Sequence, residues 1–223
     1  MEDLNAMAAG VVTPLMRDTL QEQVHRQLCD LILDGSVAPG ETITIHSLAE
    51  AFGVSPMPVR EALKRLTAAN ALTVVSGRSV GVPPLSRARL TDLRNVRVEI
   101  EALASSWGVA RAIDADVEIA RGQLKRLQVA IAEGDLKTYL RSNHAFHFTI
   151  YRASGSDTLL GIIEDLWLQI SPYFHKLHGS YSAANDHHRE MMDALADRND
   201  SAMRRAVRAD IDAAYRTLAP QLA

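Results

Sequence analysis

The chain of 223 residues carries 24 Lys and Arg against 27 Asp and Glu, a formal charge of −3, which excludes a surface basic throughout. Any contact with nucleic acid must then be a local patch. The single cysteine, Cys29, excludes an internal disulfide and a cysteine-based zinc centre, and fits a reducing compartment. No apolar run approaches the roughly 18 residues of a spanning helix. The first residues carry neither a basic n-region nor an apolar h-region, so a cytoplasmic protein with no membrane partner is expected. Aromatic residues make up only 5%, while Ala, Leu and Arg are frequent, which favours helix packed on helix.

Residues 1–13 read as a disordered tail and 14–84 as a first domain. From Arg17 to Asp34, Leu20, Val24, Leu28, Leu31 and Ile32 recur at helical spacing. Gly35 and Pro39–Gly40 end that helix. A short helix follows over Ser47–Phe52, capped by Ser47 or Thr44, with Gly53 supplying the turn. A third helix starts near Pro58 and runs to about Asn70, with Val59, Leu63 and Leu66 on its inner face. Leu72–Val75 and Val80–Val82, around Ser76–Gly77–Arg78–Ser79, read as a hairpin, and Pro83–Pro84 closes the domain.

Helix, short helix, turn, helix, hairpin is the order of a winged helix-turn-helix, whose second helix enters the major groove. The local charge agrees. Between Ser55 and Arg89 the cations are Arg60, Lys64, Arg65, Arg78, Arg87 and Arg89, and Glu61 is the one acid. The run Leu48–Pro84 resembles the DNA-binding domain of GntR-type regulators. The matching elements are Leu48–Ala49, Gly53–Val54–Ser55, Pro58–Val59–Arg60–Glu61–Ala62–Leu63 and Arg65–Leu66. Pro56–Met57 stands where that family commonly has Arg-Thr, so one contact of the family is absent. Arg60 is the candidate for a bidentate base contact. Ser55, Lys64 and Arg65 are candidates for phosphate, Arg65 alternatively pairing with a carboxylate, and Gly77 and Arg78 sit at the wing tip. Glu61 is expected to stabilise the early helix.

Beyond Ser86 the strand pattern ends. Six amphipathic segments follow, about 88–112, 116–133, 136–153, 157–178, 184–197 and 200–219, with Pro172 kinking the fourth. They predict an antiparallel helical bundle over 85–223, of six helices or seven. In the third segment, Asn143 and His147 share the apolar stripe of Tyr139–Leu140, Phe146 and Ile150. His188 falls one turn before Met191, Met192 and Leu195, and Asp210 shares a face with Met203, Val207 and Ala214. Buried unpaired, such groups would be costly, so they should meet partners or one another. Two imidazoles, an amide oxygen and a carboxylate suit a divalent transition metal such as zinc, manganese or nickel.

These positions resemble the FCD ligand-binding domain, the helical effector domain of FadR-type GntR regulators, over about Leu90–Leu218. The resemblance implies the ligand set Asn143, His147, His188 and Asp210, with Asn143, a poorer ligand than Asp, at a position that holds Asp or Asn and Asp210 in place of a final His. Without metal, the same stripe is a polar pocket for the effector. Arg97, read as lying near the inward stripe Leu93, Val96, Ile100, Leu103 and Trp107, either anchors a carboxylate effector or pairs with Glu101 at i+4. His144, His175, His178 and His187 rank lower, and Trp167 and Tyr173 are assigned to the core.

The expectation is a mainly α protein that binds an inverted-repeat operator on double-stranded DNA as a homodimer, represses, and responds to a small molecule. Two alternatives stand beside it: a regulator for which the metal itself is the signal, and a metal-dependent enzyme using His147, His188 and Asp210.

Overall fold

A computed structural model describes residues 20–77 and 79–222, and the side chains of 178–180 and 182–184 are outside that description. The expected tail over 1–13, Arg78 and the side chain of His178 therefore lie outside the described residues.

The winged domain opens with α1, Leu20–Leu33, which buries Val24, Leu28 and Ile32 at helical spacing. Strand β1, Thr42–Thr44, leads into α2, Ile45–Phe52. Thr44 is the N-cap, its hydroxyl accepting from the Ser47 amide at 3.0 Å, so α2 starts two residues before the expected Ser47. Gly53 ends it in the left-handed conformation, at φ 65°. Helix α3, Pro56–Ala68, also begins earlier than expected, because Ser55 takes the N-cap and Pro56 the first helical position. It buries Val59, Ala62, Leu63 and Leu66.

Strands β2, Thr73–Ser76, and β3, Ser79–Gly81, form the wing hairpin, one residue displaced from the apolar runs. The sheet has three strands, in the order β1-β3-β2. Ile43 pairs with Val80, a strand that three residues are too few to announce through alternation. Gly81 is required at this crossing, since a Cβ there would lie 2.6 Å from the Glu41 carbonyl.

The second domain comprises α4 (Arg87–Arg111), α5 (Asp114–Glu133), α6 (Leu136–Ala153), α7 (Asp157–Ile170), α8 (Tyr181–Ala196) and α9 (Asp200–Leu218). Its expected fourth segment is two elements. Helix α7 stops at Ile170, and a 3₁₀ segment, Ser171–Ser180, replaces a kinked continuation. Pro172 has no amide to continue the α-helical ladder, and its ring would meet the carbonyl four residues back. Helices α4 and α6 approach closely at Gly108, where a Cβ would sit 2.3 Å from the Ile150 carbonyl. That contact lies near the C-terminal ends of both helices. The expected inward stripe of α4 holds only in part: Leu93 is buried, whereas Val96 and Trp107 are 41% and 39% exposed. The inner face is instead formed by Leu93, Arg97, Val98, Glu101, Ala104 and Gly108.

The winged domain is docked on the bundle by polar contacts as well as apolar ones. Asp34, buried at the end of α1, accepts from Arg141 of α6 at 2.8 Å and lies 3.3 Å from Lys137. Burial pushes its carboxyl up, but hydrogen bonds from Ser36, Arg141 and Lys137 outweigh that and hold it below its usual 3.8. A carboxylate with a lowered native pKa stabilises the fold above its unfolded value and loses that contribution as pH falls through the native one. Asp34→Asn is therefore expected to lower stability by about 1–3 kcal/mol near neutral pH. In urea titrations, the gap between the two proteins should stay constant above pH ~5 and shrink below pH ~4.

Candidate functional site

Two surfaces carry functional chemistry. On the winged domain, Ser55, Arg60 and Lys64 are exposed along the outer face of α3. Arg60 and Lys64 stand one turn apart, as neighbours on a helix face. The Ser55 hydroxyl makes no capping bond, and Pro56 and Pro58 have no amide to offer. Pro56 takes the place of the expected arginine, and Met57, in the place of the threonine, is 63% exposed. Lys64 is tethered to Glu61 at 2.7 Å, so Glu61 aims a cation as well as stabilising the first turns. Gly77 makes the turn between β2 and β3.

The basic run seen in the sequence is divided by the fold. Arg65 turns away from Arg60, into a cleft between the domains that also holds His25 and Cys29. Burial, and then Asp30, pushes the Cys29 thiol up to about 11, which makes it a poor nucleophile. Arg89 is held by Asp92 at 2.5 Å and by Gln169 at 2.6 Å. Sequence counting could not separate these cations, since it does not say on which side of the domain each emerges.

Inside the bundle lies a cavity of about 250 Å³. His147 of α6 and His188 of α8 are buried and face each other there, Nε2 to Nε2, at 3.1 Å. The Asp210 carboxylate of α9 lies 3.6 Å from each of these nitrogens. One ligand atom from each of the three thus lies within 4.8 Å of the others. Asn143, buried one turn before His147, lines the same cavity.

The apolar surroundings set the charge states. Burial pushes the His188 imidazole down to about 3, with a further push from His187. Burial, and then His188, holds His147 well below its usual value. The Asp210 carboxyl is raised to about 7 by burial, against the pull of Arg97. The site presents neutral imidazoles, the form in which histidine binds metal.

The residues fit a divalent transition ion. Nitrogen and oxygen ligands at roughly 2.0–2.2 Å from a metal sit about 3.0–3.5 Å apart, close to the separations found here. The outer groups point the same way. His147 Nδ1 is 3.1 Å from the Tyr151 hydroxyl, which donates to Glu101 at 2.6 Å. Such a bond keeps a proton on Nδ1 and leaves the Nε2 lone pair facing His188 and Asp210. Glu101 is fully buried and accepts from Arg97 Nε at 2.5 Å.

Of the alternatives for Arg97, its pairing with Glu101 is the contact seen. It also lines the cavity, with its guanidinium 5.3 Å from the Trp167 ring centroid. Trp167 is buried as expected of a core residue, and it is a cavity wall as well. Tyr139 and Tyr181 stack at 4.0 Å beside it. Tyr151 was not singled out in the sequence, although its i+4 relation to His147, like that of Glu101 to Arg97, was the available signal.

A winged helix-turn-helix joined to a helical domain with a buried polar cavity defines a one-component transcriptional regulator. The chain belongs to the GntR family: the model for bacterial regulatory proteins of the gntR family matches residues 20–82, and the FCD domain model matches 92–213. The family is one of ligand-responsive DNA-binding regulators and not of enzymes, which removes the enzyme alternative. Among its relatives is the HTH-type transcriptional regulator McbR of Escherichia coli (strain K12). That protein is 32% identical over 166 residues, 74% of this chain and 75% of McbR. The HTH-type transcriptional repressor GlaR of the same organism is 31% identical over 147 residues, 64% of this chain and 67% of GlaR. The solved structure of E. coli McbR/YncC superposes with a TM-score of 0.84 at 28% identity, covering 92% of this chain and 99% of that one.

The buried chain Arg97–Glu101–Tyr151–His147 makes a stability prediction. Glu101→Ala strands a buried guanidinium and should cost about 3–5 kcal/mol in urea unfolding. Tyr151→Phe leaves a buried donor, His147 Nδ1–H, and a buried acceptor, the Glu101 carboxylate, short of a partner and should cost about 1–3 kcal/mol.

Proposed function

We propose that the protein is a repressor that binds an inverted-repeat operator as a homodimer and is released by a small carboxylate taken up in the bundle cavity. The observation that carries the effector half is the convergence of His147, His188 and Asp210 on one buried point. His147, His188 and Asp210, with Asn143 beside them, hold a divalent ion such as zinc, manganese or nickel. That ion supplies a Lewis-acid position for the effector carboxylate. Tyr151 and Glu101 orient His147, Arg97 adds positive potential at the wall, and the stacked Tyr139 and Tyr181 exclude water.

For the DNA half, Arg60 reads a base edge in the major groove. Ser55, Lys64 and the wing tip at Gly77 and Arg78 hold the backbone. Arg65, which faces the domain cleft, contributes to domain docking more than to phosphate contact. Two-fold symmetry is supported by the flank of α4, where Val96, Ile100, Leu103 and Trp107 form a partly exposed apolar stripe along the helix. Repression is supported by the relative GlaR, which is named a repressor.

Metal analysis of the purified protein beside a His147→Ala/His188→Ala variant tests the site. Near-stoichiometric metal, lost in the variant, is expected; no metal in either, and no uptake of added zinc, manganese or nickel, leaves a metal-free polar pocket. If metal addition alone changes operator binding, the metal is the signal and no organic effector is needed. On the DNA side, Arg60→Ala should cost about 1–3 kcal/mol on the preferred inverted repeat and relax its sequence preference. Lys64→Ala should weaken all sequences alike and reduce the salt slope by about 1. Gel shifts over a salt series distinguish the two.

A further inference from the structure

The route from the cavity to the DNA-binding domain is short, and it runs through the segment Trp167–Phe174, the end of α7 and the start of the 3₁₀ segment. Its two end residues, Trp167 and Phe174, are walls of the cavity and meet edge to face at 5.7 Å. The Arg97 guanidinium lies over both rings, at 5.3 and 6.0 Å, and the His147 ring is 5.1 Å from Trp167. A change at the metal triad or at Arg97 therefore presses directly on this segment.

Its inner residues hold the other domain. Gln169 comes two residues after Trp167, about 200° around the helix, so it faces the opposite way. Its amide donates to the carbonyl of Ala69, the C-cap of the helix α3 that carries Arg60 and Lys64, at 2.9 Å. Its carbonyl oxygen accepts from Arg89 near the start of α4. Tyr173, the neighbour of Phe174, donates its hydroxyl to the carbonyl of Pro83, at the junction of the domains, at 2.5 Å.

The segment also carries unpaired polar groups and a change of helix type. Trp167 Nε1 and Ser171 Oγ are two of the six buried side-chain polar atoms without a partner among the described residues. Such atoms are costly to leave unpaired, so a shift that pairs them has a driving force. A 3₁₀ stretch following directly on an α-helix is a place where the register of backbone bonds changes at low cost.

We propose that Trp167–Phe174 is the transmission element of this regulator, with Gln169 and Tyr173 its two attachments to the DNA-binding domain. The inference rests on the cavity being the effector site. Occupancy at one face shifts Trp167 and Phe174, and the two hydrogen bonds on the other face carry that shift to the C-terminal end of α3 and to the linker. The Arg141–Asp34 contact docks the domains without touching these walls and serves as the control.

The test is amide hydrogen exchange on the full chain, read over Leu66–Leu72 and Pro83–Leu85, with two perturbations of the cavity. One is Zn²⁺ alone, and the other is Phe174→Ala, which alters the wall without metal. In the wild type, each is expected to change exchange at both stretches by about threefold or more. In Gln169→Ala/Tyr173→Phe, both responses should vanish while Zn²⁺ affinity by calorimetry stays within about threefold. Asp34→Asn should keep them. Responses that persist in the double variant overturn the proposal, and so does their equal loss in Asp34→Asn, which would mean general loosening. If Zn²⁺ does not bind the wild type, the metal reading fails by itself. The Phe174→Ala arm then decides, and unchanged exchange in that arm overturns the proposal.

Discussion

The bundle is organised around a charge that has nowhere else to go. Arg97 and Glu101 sit one turn apart on the inner face of α4, and both are removed from water. Such a pair persists only when its remaining hydrogen-bonding capacity is used. Tyr151 of α6 uses it, and in doing so fixes the His147 ring. The close α4–α6 crossing at Gly108 is what brings α6 near enough for that contact. The geometry of the metal-type site thus depends on an ion pair that offers no ligand to it.

That dependence also explains how departures from the family pattern are accommodated. With Asp210 at the position where the resemblance implies histidine, the third side chain of the cluster is shorter and offers a carboxyl oxygen. It lies at equal distances from both imidazoles, so the cluster stays three-cornered. Around it, Trp167, Phe174 and the Tyr139–Tyr181 pair form an aromatic shell. An aromatic shell lowers the local dielectric, and this is why both imidazoles are held neutral and Asp210 is pushed towards protonation.

The two domains are joined by specific polar contacts rather than by a flexible linker alone. Asp34 with Arg141, Gln169 with Ala69 and Tyr173 with Pro83 each cross the boundary. Contacts of this kind have defined partners and directions, so they hold one relative placement of α3 and the bundle. A regulator needs that property, because a ligand can alter DNA affinity only through a difference between defined states.

Sequence alone determined the helices of the bundle, the winged helix-turn-helix order and the inward placement of His147, His188 and Asp210. Each of these follows from periodicity or from a local motif, and such signals are properties of a few consecutive residues. What it missed was non-local. Strand β1 exists because β3 is there to pair with it. The exposure of Val96 and Trp107 depends on which face of α4 its neighbours cover. The division of the cations between the exposed side of α3, the domain cleft and the Gln169 contact depends on how two domains dock. Tyr151 became a partner of His147 and Glu101 at once only when α4 met α6. Spacing along one helix can say which residues share a face, but the tertiary structure decides what that face meets.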